Sequence, residues 1–457
     1  MEQIVKDFIK EIGFENVDNE KQENRVSNWL KWYNDKPKEY TYYVYNGKSR
    51  RKQQLKTLSI IPQSCEDISD FFFNEKLSIN ISEEDIQKQI DEIFKTNKFL
   101  YNANKLMQLT KALGTGAFIP YLDNNVVKIN FIDATGIVIL DADSSGVKSV
   151  LFWNKDTKGL KINAHVLKDN GYTIYNKEYK LSGGSYVEVE LEDELAKKET
   201  GSFIPQFSII FNTPVNNSDI NSPYGISMYA NALDNVLSID TAYDSLNNEI
   251  SGGKKRIYIK GGAVQFNVDA DGNATPIFDE TETQYYVVPG SDNDKMITES
   301  NGELRIDAIT NALQSQLNLY TSKVGLGHNY YKFKDGEVYV NTDNVMSSNS
   351  DVYRKIKKQE NILTYALTDL VYAIAYLLNV DKKFSVSVDY DDSIIEDTEA
   401  IRREATQEYN TGLISKQEYY RKVNKMDDKN AKDYYDKIVD EQKIEKETDG
   451  QEFVFEE

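Results

Sequence analysis

Apolar residues recur at three- and four-residue steps in long stretches of the chain, which is the spacing of one helix face. Ser222-Pro223 precedes the first stretch and predicts a helix start, with serine as the N-cap and proline at the first helical position. This helix is predicted from Tyr224 to about Ile250. Its apolar positions are Tyr229, Leu233, Val236, Ile239, Tyr243, Leu246 and Ile250. Its polar face consists of Asn231, Asp234, Asn235, Ser238, Thr241, Asp244, Ser245 and Asn248.

The same helical spacing predicts helices from Ile306 to Val324 and from about Asp351 to Leu378. Another long helix is predicted from Ser82 to about Leu113, because Ser82-x-x-Asp85 resembles a capping box and Gly114 ends the pattern. Charged helices are predicted from about Thr398 to Glu445.

Alternating apolar and polar residues between turn residues predict an antiparallel sheet from Ala117 to about Glu192 and a strand in KFSVSVDYDD. Residues 254–305 also indicate short strands, in KRIYIK, AVQFNV and QYYVV. The fold class is therefore α+β, with a small β-unit held out on two long helices. Because such a pair buries little alone, neighbouring copies in an oligomer are its natural partners.

The charge of the chain argues against a protein that grips nucleic acid by neutralising phosphates. Lys and Arg number 54 and Asp and Glu 74, a net charge of -20, whereas such proteins are normally basic. The compact basic runs are Arg50-Arg51-Lys52 and Lys254-Lys255-Arg256. Each is either ordinary surface charge or a local contact with a phosphate or a partner.

Residues that carry common chemistry are scarce. The histidines are His165 and His328 and the lone cysteine is Cys65, which its apolar neighbours predict to be buried. These residues give no usual zinc site and no catalytic triad, and the sequence contains no GxxxxGK(S/T) motif for a P-loop. We therefore expect no metal, no cofactor and no enzymatic activity. Asp141-x-Asp143-x-Ser145-Gly146 resembles half a calcium loop, but position twelve is Phe152, which indicates a turn. Asp369 lies within the apolar stretch 362–380, which favours a packed helix over a membrane span.

Several blocks of sequence resemble, in the same order, the portal proteins of long-tailed phages of Gram-positive bacteria. They are WLKWYND (29–35), KTLSIIPQSCEDISDFFFNEKLSI (56–79), GTGAFIPYLD (114–123), NNSDINSPYGISMYANALDNVLSIDTAYDSLNNEISGGKKRIYI (216–259), residues 341–359, VDYDDSIIEDTEA (388–400) and TGLISKQEYY (411–420). The resemblance covers nearly the whole chain and rests on the order of the blocks. The chain departs from it at SSNS (347–350), where the family more often has S-E-N-S.

The resemblance implies a phage portal fold with an α/β wing, a two-helix stem, a small β-rich clip and a helical crown. The implied regions are 1–221 for the N-terminal wing, 222–252 and 306–331 for the stem helices, 253–305 for the clip, 332–350 for the tunnel loop, 351–397 for the long helix and strand between wing and crown, and 398–457 for the crown and an acidic tail.

The resemblance also implies function, partners and site residues. It implies a homododecameric ring at the portal vertex of the virion, assembled in the host cytoplasm, that conducts duplex DNA and binds the terminase large subunit, the head–tail adaptor, and the major capsid and scaffolding proteins. Candidate channel residues are Lys332, Lys334, Asn341, Asp343 and Asn344, and candidate clip contacts are Lys254, Lys255, Arg256, Asp271 and Asn273. The alternatives are another phage assembly protein, or an enzyme with an unrecognised site.

Overall fold

Periodic stretches fold as helices and alternating ones as strands in the computed structural model, which confirms the mixed α and β class. The structure describes residues 2–17, 19–45, 49–73, 77–213, 215–253, 256–260, 266–268, 271–272, 274–276, 285–288, 297–300, 302–334, 337–340, 349–390, 398–424, 432 and 434–435.

The elements of the described residues are as follows. The helices are α1 (Gln3–Glu11), α2 (Glu20–Tyr33), α3 (Ile60–Asp70), α4 (Glu84–Thr96), α5 (Phe99–Leu113), α6 (Asp193–Ala196), α7 (Leu233–Gly252), α8 (Ile306–Val324), α9 (Asn349–Leu377), α10 (Thr398–Asn410) and α11 (Lys416–Asn424). The strands are β1 (Thr41–Tyr45), β2 (Arg50–Gln54), β3 (Ser78–Ile81), β4 (Thr115–Asp123), β5 (Val126–Asp133), β6 (Ile137–Asp143), β7 (Gly146–Lys155), β8 (Gly159–Lys168), β9 (Gly171–Ser182), β10 (Ser185–Val189), β11 (Lys197–Glu199), β12 (Ser208–Phe211), β13 (Arg256–Lys260), β14 (Phe266–Val268), β15 (Ala274–Pro276), β16 (Tyr285–Val288), β17 (Ile297–Ser300), β18 (Tyr331–Lys334), β19 (Glu337–Val340) and β20 (Val386–Asp389).

The predicted antiparallel sheet forms, but as two sheets. The larger has the order β10-β9-β8-β7-β6, with β11 also pairing with β9, and the smaller has the order β12-β4-β5. Helix α1 covers one face of the larger sheet with Val5, Phe8 and Ile9. The other face of the larger sheet packs on the smaller sheet. Phe152 of the larger sheet and Ala117 of the smaller one belong to the same buried apolar cluster. Burial on both faces explains why these strands are so apolar.

The main core lies among α2, α3, α5, α7, α8 and α9. Its fully buried side chains include Ile61, Met107, Ile239, Leu317 and Leu367. Cys65 is in this core with no exposed surface, as predicted. Truncating one of the buried leucines to alanine costs about 2–5 kcal/mol, because both transfer energy and packing are lost.

Two sequence blocks meet where α5 ends. Gly114 has φ +90°, which favours glycine, and a Cβ there would lie 2.5 Å from the carbonyl oxygen of Gly225. A Cβ on Gly225 would lie 2.0 Å from the carbonyl oxygen of Gly114. The Gly225 N–H also donates to Thr115 Oγ1 at 3.1 Å. Close backbone approach therefore requires both glycines.

The predicted helix start at Ser222-Pro223 is wrong, because α7 begins at Leu233. Tertiary hydrogen bonds hold the preceding segment in turns instead. Asn216 Nδ2 donates to the carbonyl of Tyr224 at 3.2 Å, and the Tyr224 hydroxyl accepts from the N–H of Ile139 at 2.7 Å. Local capping preference is weaker than these fixed contacts.

The predicted helix from Ser82 to Leu113 is also wrong, because it is two helices, α4 and α5, with Lys98 between them at φ +48°. The side chain of Asn97 accepts from the N–H of Ile129 at 3.0 Å and donates to the carbonyl of Val127 at 3.1 Å, which anchors the break to β5. Ser82 does not cap α4, because its hydroxyl accepts from the N–H of Ser385 beside β20.

Helix α9 agrees with its predicted bounds to within two residues at each end. Its apolar side chains pack inside the main core, among them Leu363, Leu367, Leu370 and Ile374. Among the described residues, the structure contains no helix that is both long and apolar enough to cross a bilayer.

Candidate assembly site: the α7–α8 stalk and its anchorage

Helices α7 and α8 pack antiparallel and form a stalk whose far end leads into strands β13 to β17. Leu313, Leu317 and Tyr320 of α8 are fully buried. On α7, Val236 and Ile239 are at most 2% exposed. At the end near the core, Lys323 Nζ donates to Asn235 Oδ1 at 2.7 Å, and Asn235 Nδ2 donates to Gln316 Oε1 at 3.1 Å. Most of the apolar stripe predicted on each helix is buried, but Ile250 and Ile306, which belong to the same stripes, remain exposed.

An ion pair holds the two helices together at the far end of the stalk. Arg305 donates to both carboxylate oxygens of Glu249, from Nε at 3.1 Å and from a terminal nitrogen at 2.8 Å. The Arg305 backbone N–H donates to the same carboxylate at 3.1 Å. These hydrogen bonds lower the pKa of Glu249 to about 2. The ion pair therefore fixes the two points at which the chain passes from the stalk into the β-unit and back.

Buried carboxylates attach α7 to the segment between α2 and α3. Asp240 accepts hydrogen bonds from the hydroxyl of Tyr40 and from the N–H of Leu58, the latter at 2.8 Å. Burial raises the pKa of Asp240 to about 6. One turn further, Asp244 accepts from the N–H of Lys56 at 3.2 Å and from the hydroxyl of Tyr42 at 3.3 Å.

This anchorage was not predicted from the sequence. Asn235 and Asp244 were assigned to the polar face of the helix, and they are only 8% and 7% exposed, whereas Asp240 was not singled out. The available signal was the four-residue spacing of Asp240, Asp244 and Asn248, which lie in one row on a helix. The two buried carboxylates of this row need donors. The hydroxyls of Tyr40 and Tyr42 and the backbone N–H groups of the segment between β2 and α3 supply them.

Apolar side chains on the outside of the stalk remain in contact with solvent in a single chain. Ile250 is 53% exposed, Leu304 44%, Ile306 37% and Leu319 52%. Three of these four residues lie at the far end of the stalk, around the Glu249–Arg305 pair. Such a cluster of apolar side chains on the outer surface of the stalk is typical of a surface that another protein covers.

The candidate channel residues follow α8. Lys332 and Lys334 lie in β18, where they pair with Tyr339 and Glu337 of β19. Part of the predicted loop is therefore a hairpin. The side chain of Gln314 fastens that hairpin to α8, donating to the carbonyl of Tyr331 at 2.8 Å and accepting from the N–H of Phe333 at 2.9 Å. Asn341, Asp343 and Asn344 lie outside the described residues.

The candidate clip residues belong to different sheets where the structure describes them. Arg256 begins β13, which pairs with β16 and β17, and Asp271 lies in the turn between β14 and β15, a separate pair. Gly272, beside Asp271, has φ +85°, a backbone conformation that favours glycine in a turn. Lys254, Lys255 and Asn273 lie outside the described residues.

A buried lysine joins α5 to α9 at the base of the stalk. Lys111 Nζ donates to Gln359 Oε1 at 2.8 Å and to Asn212 Oδ1 at 3.0 Å, and lies 5.1 Å from the ring centre of Phe72. Burial lowers the pKa of Lys111 to about 7. The hydrogen-bond acceptors of Lys111 are amide oxygens, and no carboxylate among the residues that the structure describes neutralises its charge. The network is therefore a set of structural hydrogen bonds and not an ion pair.

The described part of the chain gives little support for metal or acid–base chemistry. Within it, no group of three or more His, Cys, Asp or Glu residues could hold a metal ion. Asp143 accepts from the N–H and the hydroxyl of Ser145, both at 2.7 Å, which confirms a turn. His165 is 2% exposed, and burial lowers its pKa to about 3, so the ring is neutral at physiological pH.

Comparison with known proteins points to one family. The family model described as phage portal protein, SPP1 Gp6-like, matches residues 14–451. No curated protein matches the chain significantly.

Proposed function

Since the chain belongs to the SPP1 Gp6-like family of phage portal proteins, we propose that its copies form a ring at one vertex of a capsid through which duplex DNA enters and leaves. The observation that carries this proposal is the family match over residues 14–451. We propose a dodecamer, in a long-tailed phage of Gram-positive bacteria, assembled in the host cytoplasm. The chain itself would catalyse no reaction.

The α7–α8 stalk of a single chain supports the proposal that copies of the chain form a ring. We propose that α7 and α8 form the stem, that residues 253–305 form the clip, and that residues 332–350, which include most of β18 and all of β19, form the tunnel loop. The wing would comprise residues 1–221, residues 351–397 would connect it to the crown, and 398–457 would form the crown. Neighbouring stems would cover the exposed Ile250, Leu304, Ile306 and Leu319.

The net charge of -20 fits a conduit through which DNA must slide. An acidic wall makes few tight phosphate contacts and releases few counterions, so the duplex is not held in place. Lys332 and Lys334, with the amides of the tunnel loop, would steady the duplex. Replacing channel-lining carboxylates with lysine should then slow packaging, and an unchanged packaging rate and DNA retention would contradict this role.

The proposed partners follow from the place of a portal in assembly. The clip would bind the terminase large subunit during packaging and the head–tail adaptor afterwards. Arg256 and Asp271 would be among its contact residues. The outer surface would contact major capsid and scaffolding proteins.

Copy number in phage particles tests the proposed function. Quantitative mass spectrometry of purified virions should give about twelve copies per particle, and gold-labelled antibody should mark one vertex. A major capsid protein would instead be present in hundreds of copies over the shell, and a tail protein would be labelled along the tail. Either pattern, or absence from the virion, would reject the portal assignment.

A further inference from the structure

The β1–β2 hairpin is strongly basic within an acidic chain. Residues 36–56 contain seven lysines and arginines and one carboxylate, Glu39, which gives a net charge of +6. Because the whole chain has a net charge of -20, the remaining residues carry -26. A second copy of the chain therefore offers this hairpin a mostly acidic surface.

The hairpin has two unlike faces. In its register Tyr43 lies opposite Lys52 and Tyr45 opposite Arg50, so these four side chains share one face, called here the basic–aromatic face. Tyr42 is on the other face, where its hydroxyl donates to Asp244 of α7 at 3.3 Å. The basic–aromatic face is therefore the one directed away from the stalk.

The composition of the basic–aromatic face fits a protein partner. Tyr43 is 53% exposed and Tyr45 71%, and the guanidinium carbon of Arg50 lies 4.2 Å from the ring centre of Tyr43. Tyrosine and arginine are enriched in protein interfaces, whereas a phosphate backbone would leave the aromatic surface uncovered. Among the described strands β1 and β2 pair only with each other, and an isolated hairpin is marginally stable without further packing.

A matching acidic surface lies at the edge of the large sheet. The segment Val187–Leu195, called here the acidic edge, exposes Val187 by 54% and Leu195 by 57%. Its carboxylates are Glu188, Glu190, Glu192, Asp193 and Glu194. In the part of the chain that the structure describes, only Glu188 among these five has an ion-pair partner, Lys177 at 3.6 Å.

The two surfaces belong to different parts of the fold. The hairpin is fastened to α7, and the acidic edge extends the sheet that α1 covers. Contact between two different patches on identical chains is heterologous, and a heterologous contact that closes on itself makes a ring.

We propose that the basic–aromatic face of one copy binds the acidic edge of the next copy in the ring. The inference rests on the proposed function, because the portal ring supplies the neighbouring copy. Arg50 and Lys52 would pair with carboxylates of the acidic edge, while Tyr43 and Tyr45 would cover Val187 and Leu195.

Cross-linking tests the contact directly. Lys52→Cys and Glu192→Cys are combined in one chain, and assembled rings are treated with a short bismaleimide. Cys65 does not interfere, since it is fully buried and burial raises its pKa. Denaturing gels should show a ladder of multiples of the chain, and neither single substitution should give more than background. Rings of the double variant without a ladder would overturn the inference and leave the portal assignment intact.

Charge reversal separates this contact from DNA binding. Arg50→Glu with Lys52→Glu should raise the concentration needed for ring assembly about tenfold, and adding Glu190→Lys and Glu192→Lys should restore it. Lys6→Glu with Lys10→Glu is the control, because it changes the net charge equally at exposed positions of α1.

Two results would contradict the proposed contact or its premise. If the reversed hairpin assembles normally but binds a fluorescent DNA duplex more weakly, the face contacts phosphates and the proposed contact is wrong. If wild-type chains form no ring under any condition, the proposed portal function is wrong, and the proposed contact loses its premise.

Discussion

The Tyr40–Asp240 hydrogen bond is the most buried link between the stalk and the segment that precedes α3. Tyr40 and Asp240 are each 1% exposed, and the remaining donor to the carboxylate is the N–H of Leu58. We expect Tyr40→Phe to lower the free energy of unfolding by about 1–3 kcal/mol, because a buried carboxylate loses a donor. Chemical denaturation of both proteins measures the difference.

Tyr42→Phe is the matched control for this prediction. It removes the same atom from a half-buried tyrosine whose hydroxyl lies 3.3 Å from Asp244. The expected loss is within about 0.5 kcal/mol. Equal losses for the two variants would show that the buried bond contributes nothing special.

We expect the buried Lys111 to make the free energy of unfolding depend on pH. A lysine in the unfolded chain titrates near ~10.4, whereas burial lowers the pKa of Lys111 to about 7 in the folded chain. Between these values the unfolded chain binds the extra proton, so stability from this group rises with pH and is lost as pH falls toward 7. We expect a slope of up to about 1.4 kcal/mol per pH unit between about pH 7 and 9.

Lys111→Met tests that slope, since it keeps a long side chain without a titrating group. With both proteins in the same oligomeric state, the difference between their unfolding free energies should change with pH in this window. A constant difference between pH 7 and 9 would mean that Lys111 stays protonated in the folded chain.

The environment of a single residue could be predicted where its neighbours along the chain decide it. The burial of Cys65 followed from its apolar flanks. The ties of Asp240 and Lys111 did not, because their partners are 200 and 248 residues away in sequence. The spacing of polar residues on a helix can mark a row of acceptors, but it does not identify the distant donors that meet them.

Among the elements, the long helices were predictable because their apolar stripes pack in the core. Errors arose at their ends, where single side chains compete with helix geometry. The turns after Ser222 and the break at Asn97 both depend on hydrogen bonds to strands formed elsewhere in the chain. The division of the predicted sheet in two depended on packing and was also not visible in the alternation of residues.

The Glu249–Arg305 pair should restrain the far end of the stalk. We expect Glu249→Gln to speed hydrogen exchange at the amide of Arg305 and in the first turn of α8, because the carboxylate accepts that N–H. Since the hydrogen bonds lower the pKa of Glu249 to about 2, wild-type protection should persist at pH 4.

Asp307→Asn is the control for the exchange experiment, because Asp307 is an exposed acid in the same turn. It removes a charge without removing the acceptor of Arg305. Faster exchange in both variants would attribute the effect to helix-end charge rather than to the ion pair.

For the whole molecule, the fold class and the helix–β-unit–helix order could be predicted, but the geometry of an assembly could not. Alternation and periodicity specify which faces are apolar within one chain. They do not distinguish a face that packs internally from one that another copy covers. Leu313 and Leu319 both lie on α8, yet the first is fully buried and the second is 52% exposed.

Imaging the purified protein shows whether this chain assembles into a portal ring. Mass photometry followed by negative-stain microscopy should show particles of about twelve copies with a central hole. A compact monomer or dimer as the only species, at every concentration and salt tested and in the presence of scaffolding and capsid proteins, would contradict it.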